Sequence, residues 1–268
     1  MVHKALAFIR CDFQMQASYR LSFLAQVAGV LVQVAIFYFI SQTVGIAINP
    51  HLQQYGGDYF HFALIGIVFY PLISLSSNSL SEAVSTNQHR GTLEVLALSS
   101  TPLLTLLMMS TLWRYLWTLT VSIAYVIAAV LLFDAQFVRV GIAPALVVVG
   151  FGVLAHVGLG LINASFTLIT KKPSPLAQIL PTLMGLLAGV YYPVDILPIW
   201  LRSLGQFLPA TYAFRALRLT TLQGASLVDV ESDLMMLAVF TVLLVPIGLL
   251  SFQYALHRAK MDASLTQF

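Results

Sequence analysis

Long apolar segments alternate with short polar breaks along the whole chain. Six segments have about the 20 apolar residues that a helix needs to cross the hydrocarbon core of a bilayer. They comprise residues 21–44, 59 to about 83, a part of 103–133, a part of 140–170, 176 to about 192, and 234–256. The pattern predicts an all-α integral membrane protein with six transmembrane helices, and the even number places both termini on one side of the membrane.

The first 20 residues are not one of these segments, because charged residues interrupt them. Their apolar positions, among them Leu6, Phe8, Ile9 and Phe13, recur with rough helical spacing. A cleaved signal peptide needs an uninterrupted apolar core. The pattern therefore favours an amphipathic helix that lies along the membrane surface.

A second unusual stretch, residues 193–226, lies between the fifth and sixth spans. Its apolar runs of about 11 to 14 residues are too short to cross a bilayer, yet the stretch is too apolar for an ordinary loop. This predicts a re-entrant hairpin of two short helices that enter the outer leaflet and return. Pro198 would begin the first helix and Pro209 would separate the two. The alternative is an amphipathic lid on the membrane surface.

The polar break within residues 84–102 separates the second span from the third. Its central residues are Gln88, His89, Arg90, Gly91, Thr92, Leu93 and Glu94. Arg90 and Glu94 are four positions apart, so a helix would present both on one face, and Gly91 would let another backbone approach closely. We therefore expect a binding surface for a soluble partner here, with a solvated loop as the alternative.

Basic residues are distributed unequally between the two sides of the membrane. The side that holds the termini has eight, namely Lys4, Arg10, Arg20, Arg90, Lys171, Lys172, Arg258 and Lys260. The other side has four, namely Arg139, Arg202, Arg215 and Arg218. Because cytoplasmic loops are enriched in Lys and Arg, this bias predicts that both termini are cytoplasmic.

Composition agrees with a membrane protein and restricts the function. The chain is 59% hydrophobic and 9% charged, whereas a soluble domain has about 25% charged residues. No run of basic residues supports nucleic-acid binding, and the single cysteine, Cys11, excludes an internal disulfide. We expect one transmembrane domain over residues 1–268.

Catalytic chemistry is sparse in the sequence. There is no phosphate-binding loop, in which Lys follows Gly, and no hydrolase or metal-ligand motif. His156 has no acidic neighbour one helical turn away and is expected to pack between helices. Arg114 is either an interfacial anchor between Trp113 and Trp117 or a contact for an anionic lipid or substrate. We expect no catalytic residue, metal site or cofactor on this chain.

Two small groups of residues are candidates for a pathway or a dimer seam. Gln26 and Gln33 share one face of the first span, where they either line a polar seam or form hydrogen bonds across a helix interface. Gly185 and Gly189 form a small-xxx-small pair on the fifth span, which would allow close approach of another helix.

Several fragments, in this order, resemble the transmembrane permease subunits of the type-2 ATP-binding-cassette (ABC) exporter family. They are residues 19–24 (Tyr-Arg-Leu-Ser-Phe-Leu), residues 90–94 (Arg-Gly-Thr-Leu-Glu) with the Thr-Pro at 101–102, residues 191–193, 197–201 and 208–212, and the arginines at 215 and 218. The resemblance covers nearly the whole chain, and it rests on the order and spacing of these fragments along the six spans.

The resemblance implies a half-transporter. Two permeases, identical or related, would pair and bind two cytosolic ATP-binding-cassette subunits, which would hold the ATP and Mg²⁺. Residues 88–94 would belong to the coupling helix that fits a cleft on the ATP-binding subunit. The hairpin would cap the pathway on the outer side, with a gate formed by Tyr191, Tyr192, Pro193, Pro198, Trp200 and Pro209.

These expectations together predict a permease in a bacterial cytoplasmic membrane, in contact with membrane lipids. Apolar spans with only a few amides suit an amphipathic cargo, such as a drug, a lipid or a lipid-linked molecule. A polysaccharide or glycolipid exporter of the same family is one alternative. An ion-coupled secondary transporter and a membrane enzyme acting on lipids are the others.

Overall fold

The computed structural model describes residues 2–18, 20–135, 137, 141–172 and 174–261. The α-helices are α1 (Val2–Ser18), α2 (Arg20–Ile48), α3 (Tyr59–His89), α4 (Leu93–Ala97), α5 (Leu103–Phe133), α6 (Ile142–Thr170), α7 (Pro175–Leu187), α8 (Ile199–Gly205), α9 (Pro209–Leu222) and α10 (Glu231–Met261). Short 3₁₀ helices span Asn49–Tyr55 and Val194–Ile196. No β-strand occurs in the described residues, which confirms the predicted all-α class.

Within the described residues, five helices are long and apolar enough to cross a membrane: α2, α3, α5, α6 and α10. The fifth predicted span corresponds to α7, which has 13 residues. At 1.5 Å per residue α7 is about 20 Å long, short of the ~30 Å hydrocarbon core. The prediction that this helix runs to about Tyr192 is wrong, because Gly189 adopts a left-handed φ of 74° directly after the helix. The sixth crossing of the membrane stays a prediction.

The helices form a bundle with two distinct ends. At the terminal end, α3, α6 and α10 finish and α5 begins, and their side chains form one buried cluster with Leu93 of α4. At the far end, the same three helices begin and α5 finishes. There α9 packs against α3, α6 and α10, and further buried clusters join them. The predicted partner-binding break therefore lies at the terminal end of the bundle, and the predicted hairpin lies at the far end.

The central pair, α6 and α10, is packed closely at glycine positions. A Cβ atom added to Gly158 would lie 2.7 Å from the backbone carbon of Leu244, and one added to Gly248 would lie 2.7 Å from the carbonyl oxygen of Gly158. Real side chains do not approach so closely. The small residues thus set the distance between the two helices, as expected for membrane helices that pack without a hydrophobic driving force.

The two segments outside the spans contain helices where the sequence predicts them. Residues 2–18 form the helix α1, and Phe13 packs edge-to-face on Trp113 of α5 with ring centroids 5.4 Å apart. The second segment contains two short helices, α8 and α9. Pro198 is the N-cap residue of α8, and Pro209 is at the start of α9. How deeply α1 and the hairpin enter the bilayer stays a prediction.

Candidate functional site

The polar break between α3 and α5 forms a sharp elbow. Arg90 caps α3, Gly91 adopts a left-handed φ of 66°, and α4 begins at Leu93. Two bonds from Thr92 to Asn87 close the turn: its backbone N–H donates to the carbonyl at 3.0 Å, and its hydroxyl donates to Oδ1 at 2.8 Å. The chain can reverse here because glycine adopts a positive φ without strain.

This geometry corrects one expectation about the elbow. Arg90 and Glu94 do not share a helix face, because the left-handed residue Gly91 separates α3 from α4. A Cβ added to Gly91 would meet no atom of this chain within 4 Å, and the approach of a partner backbone at this glycine stays a prediction. Its backbone conformation is the physical reason for a glycine at this position.

Two of the seven predicted elbow residues anchor it to the bundle. Leu93 is 1% exposed and belongs to the buried cluster of the terminal end. Gln88 is also buried, and its Nε2 donates to the carbonyl of Thr167 at 3.5 Å. The exposed residues are His89, Arg90, Gly91 and Thr92, while Glu94 is half-buried. The elbow is therefore a fixed projection and not a loose loop.

Sequence reasoning missed two apolar residues on this surface. Val95 is 70% exposed and Leu98 is 80% exposed, although both lie beside the polar elbow. The sequence signal that could have predicted this surface was the presence of apolar residues in and just after α4, outside the predicted spans. Neighbouring exposed apolar residues with a polar surround are typical of a surface that contacts a protein or the membrane.

A buried polar seam joins α3, α6 and the start of α7. The hydroxyls of Ser81 and Thr167 are 2.7 Å apart, and the Asn163 Nδ2 donates to the carbonyl of Ser77 at 3.0 Å. The Ser174 hydroxyl donates to the Asn163 Oδ1 at 3.1 Å. We call these five residues the α3–α6 seam. The two serines on α3 are four positions apart, and so are the Asn and the Thr on α6. This spacing places each pair on one face of its helix, and it was the sequence signal that could have predicted the seam.

At the far end, the predicted gate residues divide into a packed group and an exposed group. The carbonyl of Tyr191 accepts from the Tyr59 hydroxyl at 3.0 Å, and its ring stacks on Phe37 with centroids 5.7 Å apart. The Tyr192 hydroxyl donates to the carbonyl of Leu186 at 2.5 Å. Pro193 and Pro209 are buried, whereas Pro198 and Trp200 are exposed. The segment after α7 is thus tied to α2 and α3, while α8 points outward.

Arg218 is a far-end residue whose buried role sequence reasoning did not foresee, although it was named as a far-side cation and as part of the family resemblance. It is 2% exposed, and its Nε donates to the carbonyl of Phe62 at 3.1 Å. Its Nη2 donates to the carbonyl of Val190 at 2.9 Å, and its guanidinium carbon lies 3.6 Å from the Phe62 ring centroid. One side chain therefore joins α9 to α3 and to the segment after α7. The neighbouring Arg215 differs, since its Nε donates to Oδ1 of Asp233 on α10 at 2.8 Å.

The two glutamines of α2 bond across a helix interface. Oε1 of Gln26 accepts from Nε1 of Trp117 at 2.9 Å, and Oε1 of Gln33 accepts from the Tyr125 hydroxyl at 2.6 Å. Both glutamines also line a cavity of about 320 Å³ between α2 and α5 that reaches Pro71. The two glutamines therefore both form hydrogen bonds across the α2–α5 interface and line a cavity in it, so the two interpretations of the pair do not exclude each other.

The predicted glycine pair on the fifth span does not form. Gly185 lies within α7, but Gly189 lies beyond its last residue in a left-handed turn. A Cβ added to Gly185 would contact the Tyr191 ring at 3.5 Å, and one added to Gly189 would lie 2.8 Å from a Val194 methyl group. Both glycines therefore serve the chain reversal after α7.

Two titratable residues left open by the sequence have defined surroundings. Arg114 donates to Oε2 of Glu82 at 2.5 Å, and both side chains are exposed. His156 is fully buried, and its Nδ1 lies 2.7 Å from the carbonyl of Gly152 on its own helix. Among the described residues, no three His, Cys, Asp or Glu side chains are grouped to hold a metal ion.

Comparison with known families agrees with this architecture. A family model described as ABC-2 type transporter matches residues 6–222, from within α1 to the end of α9. The chain belongs to the ABC-2 type transporter family. Comparison with curated proteins gave no match. As a member of this family with five long apolar helices, the chain is a multi-pass membrane permease, and permeases of this family generally work with an ATP-binding subunit.

Proposed function

We propose that this ABC-2 permease is the transmembrane subunit of an ATP-driven exporter, and that a separate ATP-binding subunit binds at the elbow. The observation that carries this proposal is the form of the elbow. Buried Gln88 and Leu93 hold it against the bundle, while Val95 and Leu98 remain available to a partner. ATP and Mg²⁺ would bind to the partner, since no lysine in this sequence follows a glycine.

The same contacts support a route for the motion. Closure of the ATP-binding subunits would displace the elbow, and the displacement would pass into α3. Because the α3–α6 seam links α3 to α6 and to Ser174 before α7, these helices would move together. The segment after α7 contains the gate residues Tyr191 and Tyr192. ATP would act by favouring one of two arrangements of this unit.

A second permease, identical or related, would complete the pathway. Only 11% of the apolar window of α2 is buried within the described structure. The remaining, exposed surface of α2 is therefore covered by lipid or by another subunit. We propose a dimer seam that involves α2 and α7, with the amide-lined cavity of Gln26 and Gln33 beside it. The surrounding spans are apolar apart from a few amides, which suits an amphipathic cargo such as a drug, a lipid or a lipid-linked molecule.

Replacing the exposed apolar residues of the elbow tests the proposal. The double variant V95S/L98S should lose co-purification with its ATP-binding subunit, and cargo-stimulated ATP hydrolysis should fall at least about tenfold, since full burial of one Val or Leu side chain contributes about 1.5–3 kcal/mol. The matched control is V228S, because Val228 is 77% exposed outside the long helices at the far end. Full ATPase binding by V95S/L98S, or transport by the purified chain alone, would contradict the proposal.

A further inference from the structure

A cavity of about 660 Å³ lies at the terminal end between α1, α3, α4 and α5. Its lining includes one carboxylate, Asp12 of α1, and two guanidinium groups, those of Arg90 and Arg114. Burial raises the pKa of Asp12, and the charges of Arg114 and Arg90 oppose that rise. The three charged groups are therefore close enough to interact. Polar Thr86 and Ser110 lie in the same wall.

An apolar groove of about 490 Å³ lies between α2 and α5. Its walls include Val27, Leu31, Ala124, Ile127 and Leu131, and Trp117 stands at its polar end beside Gln26. Since α2 and α5 are candidate membrane spans, we expect the groove to lie within the hydrocarbon region. Its surface offers contacts to a hydrocarbon chain and few to water.

One face of α5 connects the charged cavity to the apolar groove. Its residues recur at helical spacing and line one space or the other: Ser110, Trp113, Trp117, Thr120, Ala124, Ile127 and Leu131. Trp113 lies in the charged cavity and Trp117 in the groove, and their rings stack with centroids 6.2 Å apart. The two spaces therefore lie end to end, with aromatic rings at the boundary where membrane proteins place Trp.

We propose that the cavity and the groove together bind one resident phospholipid whose headgroup carries a phosphate and a primary ammonium, as in phosphatidylethanolamine. The phosphate would contact Arg90 and Arg114, and the ammonium would contact Asp12. One acyl chain would lie along the α2–α5 groove. The lipid would join α1 to the bundle, and this assignment does not depend on the direction or cargo of transport.

The charges of the site favour this headgroup over others. A purely anionic headgroup would satisfy the two arginines but would place Asp12 against negative charge. A choline headgroup has no N–H donor for the carboxylate, whereas a primary ammonium has three. Glu82 also bonds Arg114, but it does not line this cavity. The cavity thus matches a headgroup that carries both signs.

Lipid competition measured by native mass spectrometry tests the inference on the purified full chain. Phosphatidylethanolamine, phosphatidylglycerol and phosphatidylcholine with identical acyl chains would be offered together. We expect one tightly bound phosphatidylethanolamine per chain, held about tenfold more tightly than the other two, as for the gain of one charge-assisted hydrogen bond. Equal retention of the three lipids would overturn the proposal, because it describes ordinary annular lipid.

Three variants and a control locate the binding groups. D12N should remove the preference for phosphatidylethanolamine over phosphatidylglycerol, and R90Q should weaken both lipids about tenfold. A124F should weaken all three lipids by filling the groove. The control is R10A, which removes an exposed cation from α1 outside the cavity lining.

Thermal unfolding in lipid-free detergent identifies any variant that fails to fold, and the remaining variants then decide the outcome. Retained preference in folded D12N would refute the contact between ammonium and carboxylate. An R10A effect equal to that of R90Q would show nonspecific attraction to basic charge and would equally overturn the site.

Discussion

The buried cation Arg218 links three parts of the far end of this permease. Arg218 donates to the carbonyls of Phe62 and Val190, which belong to α3 and to the segment after α7. Hydrogen bonds from a charged donor are stronger than neutral ones, and a buried carbonyl that loses its donor is destabilising. The arginine fork reaches two carbonyls at once, which a lysine ammonium on a flexible stem does less well.

We expect R218Q to lower the free energy of unfolding by about 2–4 kcal/mol, because it removes two charge-assisted bonds from a buried site. R218K should recover only part of this loss. The measurement is unfolding of the purified chain by SDS titration, followed by circular dichroism.

The control for this prediction is R202Q on α8. Arg202 pairs with Asp195 at the surface, where an ion pair contributes about 0–1 kcal/mol. Equal losses in R218Q and R202Q would show that burial of the Arg218 contacts has no special weight.

At the scale of helices, packing between α6 and α10 is set by glycines that no side chain can replace. Gly158 faces the backbone of Leu244 and Val245, which cannot move aside as the end of a flexible side chain can. Gly150 lies on the same helix, but a Cβ added there would meet no atom within 4 Å. Substituting alanine at each of these two glycines separates the effect of crowding between α6 and α10 from the effect of helix propensity.

We expect G158A to destabilise the chain by about 1–3 kcal/mol, because an added methyl group forces the two helices apart. The matched variant G150A should be neutral or slightly stabilising, since alanine favours a helix over glycine by roughly 0.5–1 kcal/mol. SDS-titration unfolding of both variants gives the comparison. If G158A unfolds like G150A, the close contact of α6 with α10 is wrong.

Features with a local signal in the sequence were predicted well at this scale. Apolar length gave the five long helices, and Pro198 and Pro209 gave the starts of α8 and α9. Features that depend on backbone conformation or distant partners were not predicted. Gly91 and Gly189 each end a helical stretch through a positive φ, which hydrophobicity does not encode.

The candidate site shows the same division between local and distant information. The position of the elbow follows from its polar residues, but its exposed surface depends on tertiary packing. Gln88 and Leu93 turn inward, while Val95 and Leu98 turn outward. The buried role of Arg218 requires Phe62, which is 156 positions away in the chain. A single sequence contains no direct signal for that contact.

For the whole molecule, the unequal distribution of basic residues predicts which end faces the cytoplasm. Arg90 and Lys172 follow helices that finish at the terminal end, together with the predicted partner surface. Arg202 and Arg215 lie in the short helices of the far end. Because Lys and Arg are retained on the cytoplasmic side during insertion, the terminal end should be cytoplasmic, where ATP-binding subunits can reach the elbow.

The single native cysteine makes this orientation measurable. Cys11 is exposed on α1 at the terminal end. A membrane-impermeant thiol reagent should therefore leave wild-type protein unlabelled in intact cells and label it in inverted vesicles. The variant C11S/V228C should show the opposite pattern, since Val228 is exposed at the far end. Labelling of C11S/S100C in inverted vesicles guards against a bound subunit or a bound lipid that shields Cys11, because Ser100 is exposed after α4 and does not line the cavity. Labelling of Cys11 in intact cells would reverse the orientation and would place the elbow out of reach of any cytosolic ATPase.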